Sequence, residues 1–163
     1  MTVSIQAYTM GARLWIYGAG HVSTALAQQA SLIEMPCVVV DERDMWADSK
    51  RFAPSTEVIC ENICEEIRLN PPQAQDYVFV CTHDHALDEE IMSLLLPRSL
   101  TYLALIGSQR KWIQFRKRLH AKGITNEQLD RVSCPAGLNI SADTPAEIAI
   151  SIIAEIIQLK SKI

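Results

Sequence analysis

The stretch Leu14-Trp15-Ile16-Tyr17-Gly18-Ala19-Gly20-His21-Val22-Ser23 decides the fold. Its first four residues are apolar without alternation, as in a strand buried on both faces. Gly18 ends the run, and Val22, Ala25, Leu26, Ala30 and Ile33 then recur on one face of a helix. Strand, glycine turn and helix in immediate succession make a seat for an anion. Gly18 permits the tight turn, Gly20 lets the backbone approach a pyrophosphate, and the first helical amides, from Ala19 through His21 and Val22, face the charge. Asp41 closes the next apolar run, Cys37-Val38-Val39-Val40, 21 residues after Gly20. That is close to the spacing of a ribose-binding carboxylate. Ser23 stands where the pattern places a third glycine, a residue used for close helix–strand packing that a small serine partly preserves. Arg43, two residues past Asp41, is either a phosphate-binding cation or a solvated side chain.

Working outward, the same alternation continues. A short run at Glu57-Val58-Ile59 is followed by Tyr77-Val78-Phe79-Val80-Cys81 and by Tyr102-Leu103-Ala104-Leu105-Ile106, with helical patterns at about 61–68, 85–96 and 108–122. Strand–helix alternation with continuously apolar strands predicts a doubly wound α/β sheet, mostly parallel, in a single domain over 1–163. The segment 1–11, weakly alternating from Val3 to Tyr8, reads as an N-terminal arm or an edge strand. The chain has 163 residues, 48% hydrophobic, and that size needs no metal or disulfide to hold a core. A net charge of −4 argues against nonspecific nucleic-acid binding. No apolar run approaches the ~20 residues of a membrane span, and no targeting segment opens the sequence. Five cysteines, an odd number, read as reduced thiols of a cytoplasmic protein.

Two further clusters fall at strand ends, the edge of an open α/β sheet where ligands bind. Thr82-His83-Asp84-His85 closes the fourth run. The two histidines are two residues apart and diverge on a helix, so the spacing disfavours a metal; Asp84 suits a helix N-cap, and His83 is a candidate ligand contact. Gly107-Ser108-Gln109-Arg110-Lys111 closes the fifth run. Ser108 can cap, and Arg110 or Lys111 can meet an anion; six of the fifteen basic residues lie within 110–122. The loop 135–143, with Gly137 and Asn139, reads alone as a turn. Thr144-Pro145-Ala146-Glu147 is a capping box with proline at the first helical position. In the helix that follows, polar residues occupy one narrow stripe (Glu147, Ser151, Glu155, Gln158), and isoleucine and alanine fill the rest. So wide an apolar surface predicts either a deeply packed final helix or a subunit interface.

Taken together, Gly18-Ala19-Gly20-His21-Val22, Val39-Val40-Asp41-Glu42-Arg43, Arg51-Phe52, Thr82-His83-Asp84-His85, Leu105-Ile106-Gly107-Ser108 with Lys111, and Gly137-Leu138 through Thr144-Pro145-Ala146-Glu147-Ile148-Ala149 resemble the carboxy-terminal Rossmann domain of XdhC proteins. The likeness runs in order from about residue 14 to 159. It implies a Rossmann-like fold and a chaperone-like role: XdhC proteins bind molybdenum cofactor and hand it to the apo-protein of xanthine dehydrogenase and related molybdoenzymes. Full-length members carry a further amino-terminal domain. The chain departs from the family pattern at Ser23 and Ser141, where glycine is usual, and at Asn139, where aspartate is usual.

The expected function is therefore binding of a phosphate-bearing small molecule, molybdopterin first, by a non-catalytic maturation factor. The expected contacts are Gly18, Ala19, Gly20, His21, Val22, Asp41, Arg43, Thr82, His83, Gly107, Ser108 and Lys111, with no metal site. The alternatives are an NAD(P)-dependent oxidoreductase, for which His83 is the acid–base candidate, and a nucleotide-sensing regulatory module. The terminal helix adds a homodimer to the expectation. Light scattering at high protein concentration checks it: twice the chain mass is expected, and a strict monomer removes the interface reading.

Overall fold

The computed structural model describes residues 11–162; the arm-or-strand expectation for the N-terminal segment falls almost wholly outside them. Six strands form one parallel sheet in the order β3-β2-β1-β4-β5-β6. They are β1 (Leu14–Tyr17), β2 (Cys37–Val40), β3 (Thr56–Ile59), β4 (Tyr77–Val80), β5 (Tyr102–Leu105) and β6 (Val132–Ser133). Every pairing is parallel, so all strands end on one rim. The strand order reverses between β1 and β4, which opens a crevice at that rim.

The helices are α1 (His21–Leu32), α2 (Ile63–Leu69), α3 (His85–Leu95), α4 (Gln109–Ala121), α5 (Asn126–Asp130) and α6 (Pro145–Lys160). Successive strand residues point to opposite faces, and each face has its own core. Trp15, Tyr17, Val38, Val40, Val78, Val80, Leu103 and Leu105 pack with Ile67 of α2, Ile91 and Leu95 of α3, and Phe115 and Leu119 of α4. Leu14, Ile16, Val39, Phe79 and Ala104 pack with Leu26, Ala27 and Ala30 of α1 and with Ile152 and Ile156 of α6. Burial of the four central strands on both faces explains why they read as unbroken apolar runs. β6 and α5 go beyond what the sequence predicts: two strand residues and a five-residue helix are too short to show a period.

α6 has the predicted capping box, with Thr144 accepting from the Glu147 amide and the Glu147 carboxylate returning to the Thr144 amide. Its polar stripe, however, partly faces inward. Ser151 is buried, and Glu155 accepts from the Tyr102 hydroxyl, the Ser133 hydroxyl at 2.6 Å and the Gly137 amide at 2.9 Å. Glu155 thus ties β5, β6 and the following loop to α6, while Ile150 and Ile157 are each 48% exposed. Removing a carboxylate that serves three donors strands them half-buried. Glu155→Ala is expected to cost about 2–3 kcal/mol, while Gln158→Ala, at the exposed end of the same stripe, stays within about 0.5 kcal/mol, as a surface substitution does. Urea unfolding midpoints of the two variants check this.

Candidate functional site

Gly18 adopts φ +104°, and a Cβ there would collide with the Cys81 carbonyl, so the turn after β1 is pressed against the end of β4. Gly20 differs: its φ of −73° suits any residue, and a Cβ would meet nothing within 4 Å. The space over Gly20 is therefore open. α1 starts there without a side-chain cap and without an acidic residue in its first turn. The amides of that turn and the positive end of the dipole are left for an outside acceptor. Ser23 is fully buried at the same place. Its hydroxyl lies against the Cys81 thiol.

Asp41 is buried at the end of β2 and its carboxylate is committed within the chain. It accepts from the Ala19 amide at 2.7 Å, the Arg43 amide at 3.0 Å, and Arg43 Nε and Nη2 at 2.9 and 2.7 Å. Burial pushes its pKa up. The Arg43 guanidinium and the Ala19 and Arg43 amides outweigh that and hold it below the usual carboxylate value. This pairing ties the two candidate contacts to each other. Asp41 positions the glycine turn and Arg43 rather than standing free for a ribose. Arg43 is neither solvated nor unpaired, yet keeps part of its surface at the rim.

Sequence reasoning did not single out Trp46 or assign Arg51 a role. Arg43 and Arg51 lie over the Trp46 ring at 4.9 and 4.7 Å, and His21 meets its edge at 5.5 Å. Arg51 also donates to the Ala19 carbonyl at 2.8 Å and to Trp46. The one available signal was an aromatic residue between two arginines just after Asp41. The loop after β2 is thereby bolted to the glycine turn. Gly20, His21, Val22, Arg43, Trp46, Thr82 and His83 surround a cavity of about 370 Å³ at the β1/β4 crevice. Cys81 lines it too, but burial and the nearby Asp88 charge push its thiol up to about 12, so it stays protonated at neutral pH.

The third cluster is arranged differently. Lys111 turns inward, pairing with the buried Asp88 at 2.9 Å and donating to the Ile106 carbonyl at 3.1 Å. Gly107, at φ +139°, makes room: a Cβ there would lie 2.7 Å from Lys111 Cδ. Asp88 also accepts from the Thr82 amide and hydroxyl. Thr82, Asp88 and Lys111 thus join the ends of β4 and β5, and Lys111 is not offered to an external anion. Ser108 caps α4 and Asp84 caps α3, as their positions predict. Gly107 lines a second cavity, of about 520 Å³, formed with the 135–142 loop and the first turns of α6. In the sequence the loop 135–143 reads as a turn, because Gly137 and Asn139 tolerate unusual backbone angles. Among the described residues no cluster of three or more metal-ligating side chains occurs, and no helix is long and apolar enough to cross a membrane.

Residues 14–156 match the family model for the XdhC Rossmann domain. The chain is 35% identical over 162 residues to the uncharacterized protein YqeB of Escherichia coli, and 29% identical over 154 residues to a probable xanthine dehydrogenase subunit of Bacillus subtilis. These alignments take in 99% and 93% of the chain but only 30% and 44% of the relatives, so the chain spans less than half their length. A crystal structure of a xanthine dehydrogenase from Bacillus halodurans superimposes with a TM-score of 0.81 at 32% identity, over 95% of this chain and 44% of that one. An NAD-bound GsuK channel, at 8% identity, shares the fold alone with a TM-score of 0.52 over 69% of this chain and 21% of its own. A continuous match over most of the sequence, with the glycine turn, Asp41 and the capped α6 inside it, assigns the family: the chain belongs to the XdhC Rossmann-domain family.

Proposed function

We propose that the chain is the cofactor-binding part of a xanthine dehydrogenase accessory protein, and that it seats the phosphate of molybdenum cofactor over Gly20. The observation that carries this reading is the pairing of an open, uncapped α1 with a committed Asp41. Open space at Gly20, free first-turn amides and the edge of Arg43 suit a phosphate. A carboxylate already holding four donors does not suit a ribose diol, which an NAD site must bind. Molybdopterin has the phosphate and lacks the ribose. When bound, the cofactor supplies molybdenum redox chemistry to its eventual enzyme.

In this reading the chain's own residues bind and orient. The α1 amides and Arg43 hold the phosphate, His21 and His83 flank the mouth, and Asp41 and Arg51 keep the turn and Trp46 in place. The thiols remain reduced in the cytoplasm. The partner is a molybdoenzyme apo-protein. The outward isoleucines of α6, with Leu32 and Ile33 at the end of the neighbouring α1, supply the apolar contact for a homodimer.

Thermal melts with added ligand test the assignment. Molybdopterin released from a molybdoenzyme is expected to raise the melting temperature, by the equivalent of about 2.7 kcal/mol at 100 times its dissociation constant. Gly20→Val, at a backbone angle valine accepts, is expected to remove the shift without lowering the melt of the free protein. CDP is expected to act more weakly. A shift with NAD or NADP and none with molybdopterin would instead favour a dinucleotide site.

A further inference from the structure

The second cavity differs from the first in one respect that decides its ligand: none of the residues lining its roughly 520 Å³ is charged. Charged residues make up 21% of the chain, and the neighbouring cavity presents Arg43 and two histidines. Ile106, Leu138, Ile140 and Ile148 supply apolar walls, and the carboxamides of Gln109 and Asn139 supply hydrogen-bonding groups. The volume falls within the ~300–1,000 Å³ of small-molecule sites. The α6 amides near it are not open to an anion, because Glu147 takes those of Asp143 and Thr144, and Thr144 takes that of Glu147.

The cavity is also built rather than incidental. The loop that walls it is tied to α6 by the Leu138 amide on the Ser151 carbonyl at 3.1 Å and the Gly137 amide on Glu155 at 2.9 Å. Ser141 holds φ +57°, a conformation uncommon for a residue with a side chain. Ile140 is left 51% exposed at the cavity wall. The two cavities share the first turn of α6 as a partition: Pro145 lines the first and Ile148 the second.

We propose that this second cavity receives the uncharged, planar heterocyclic end of the ligand whose phosphate sits over Gly20, with Gln109 and Asn139 reading its amide-type edge. The proposal rests on the phosphate-cofactor reading and deepens it. A carboxamide offers a donor and an acceptor side by side, the complement of the adjacent N–H and C=O of a pterin or of the amino N–H and ring nitrogen of cytosine. The isoleucine and leucine walls take the ring faces, and a neutral ring is favoured over a charged one because no lining residue offers an opposite charge. Anion and ring are thus sorted by charge between neighbouring compartments of one rim.

Phosphate-free probes separate this from the cradle. Neopterin and cytidine are titrated calorimetrically into the full chain, its Ile140→Asp, Asn139→Ala and Gly20→Val variants, with inorganic pyrophosphate in parallel. Ring binding is expected in the wild type, about tenfold or more weaker in Ile140→Asp, up to about tenfold weaker in Asn139→Ala, and unchanged in Gly20→Val. Pyrophosphate is expected to show the reverse pattern, lost in Gly20→Val and retained in Ile140→Asp. Binding of neopterin marks the ring as a pterin; binding of cytidine alone, with the same variant pattern, supports the cavity and marks it as a pyrimidine base. The proposal is overturned if neither probe binds the wild type, or if ring binding disappears in Gly20→Val and survives Ile140→Asp. Failure of pyrophosphate to bind the wild type counts against the cradle instead, so the two failures are distinguishable.

Discussion

The buried carboxylate of Asp41 fixes the geometry on which the functional reading depends. It holds the Ala19 amide from one side and the Arg43 backbone and guanidinium from the other, and so sets the glycine turn against the loop after β2. A buried carboxylate is tolerated only when its charge is met, and here a bidentate arginine meets it. The consequence reaches the ligand. A residue placed by its spacing to read a ribose is consumed in shaping the protein, while the helix start beside it stays open. Arg51 repeats the device, donating to the Ala19 and Trp46 carbonyls so that the turn, the tryptophan and both arginines form one connected network.

A second internal pairing divides the rim. Lys111 and Asp88 join the ends of β4 and β5, and Thr82 is drawn into the same network through its amide and hydroxyl. Of the positive charge that the sequence placed beside Gly107, Lys111 is thereby turned inward, while Arg110 stays exposed. What remains on the surface is a charged pocket at the β1/β4 crevice and a neutral one between β5 and α6. Glu155 secures the neutral side by tying α6 to β5, β6 and the loop that walls the cavity.

Much of the fold was legible because burial on both faces leaves an unmistakable run: β1, β2, β4 and β5 are each four residues buried throughout. The caps at Ser108, Asp84 and Thr144 were legible too, since N-cap chemistry is local. Charges were readable as positions but not as partners. Lys111 finds Asp88 across 23 residues, on a different helix, and no periodicity carries that information. The stripe on α6 was visible, but its direction was not: a polar stripe usually marks the solvent side, and here Glu155 faces inward because the sheet edge and loop offer it donors, while the buried Ser151 donates back to the Ile148 carbonyl of its own helix. The neutral cavity was foreshadowed only as a motif: Gly137, Leu138 and Asn139 carry part of the family pattern, but loop residues that individually read as turn do not reveal that they wall a pocket with β5 and α6.

The central claim is that the amides opening α1 receive a phosphate while Asp41 keeps its internal bonds. Amide nitrogen–proton correlation spectra recorded during titration with inorganic pyrophosphate read it residue by residue. The account predicts saturable shifts concentrated at Gly20, His21, Val22 and Ser23, with the Ala19 amide, hydrogen-bonded to Asp41, left in place. Shifts centred instead on the start of α4, or an Ala19 amide released as the anion binds, would contradict it.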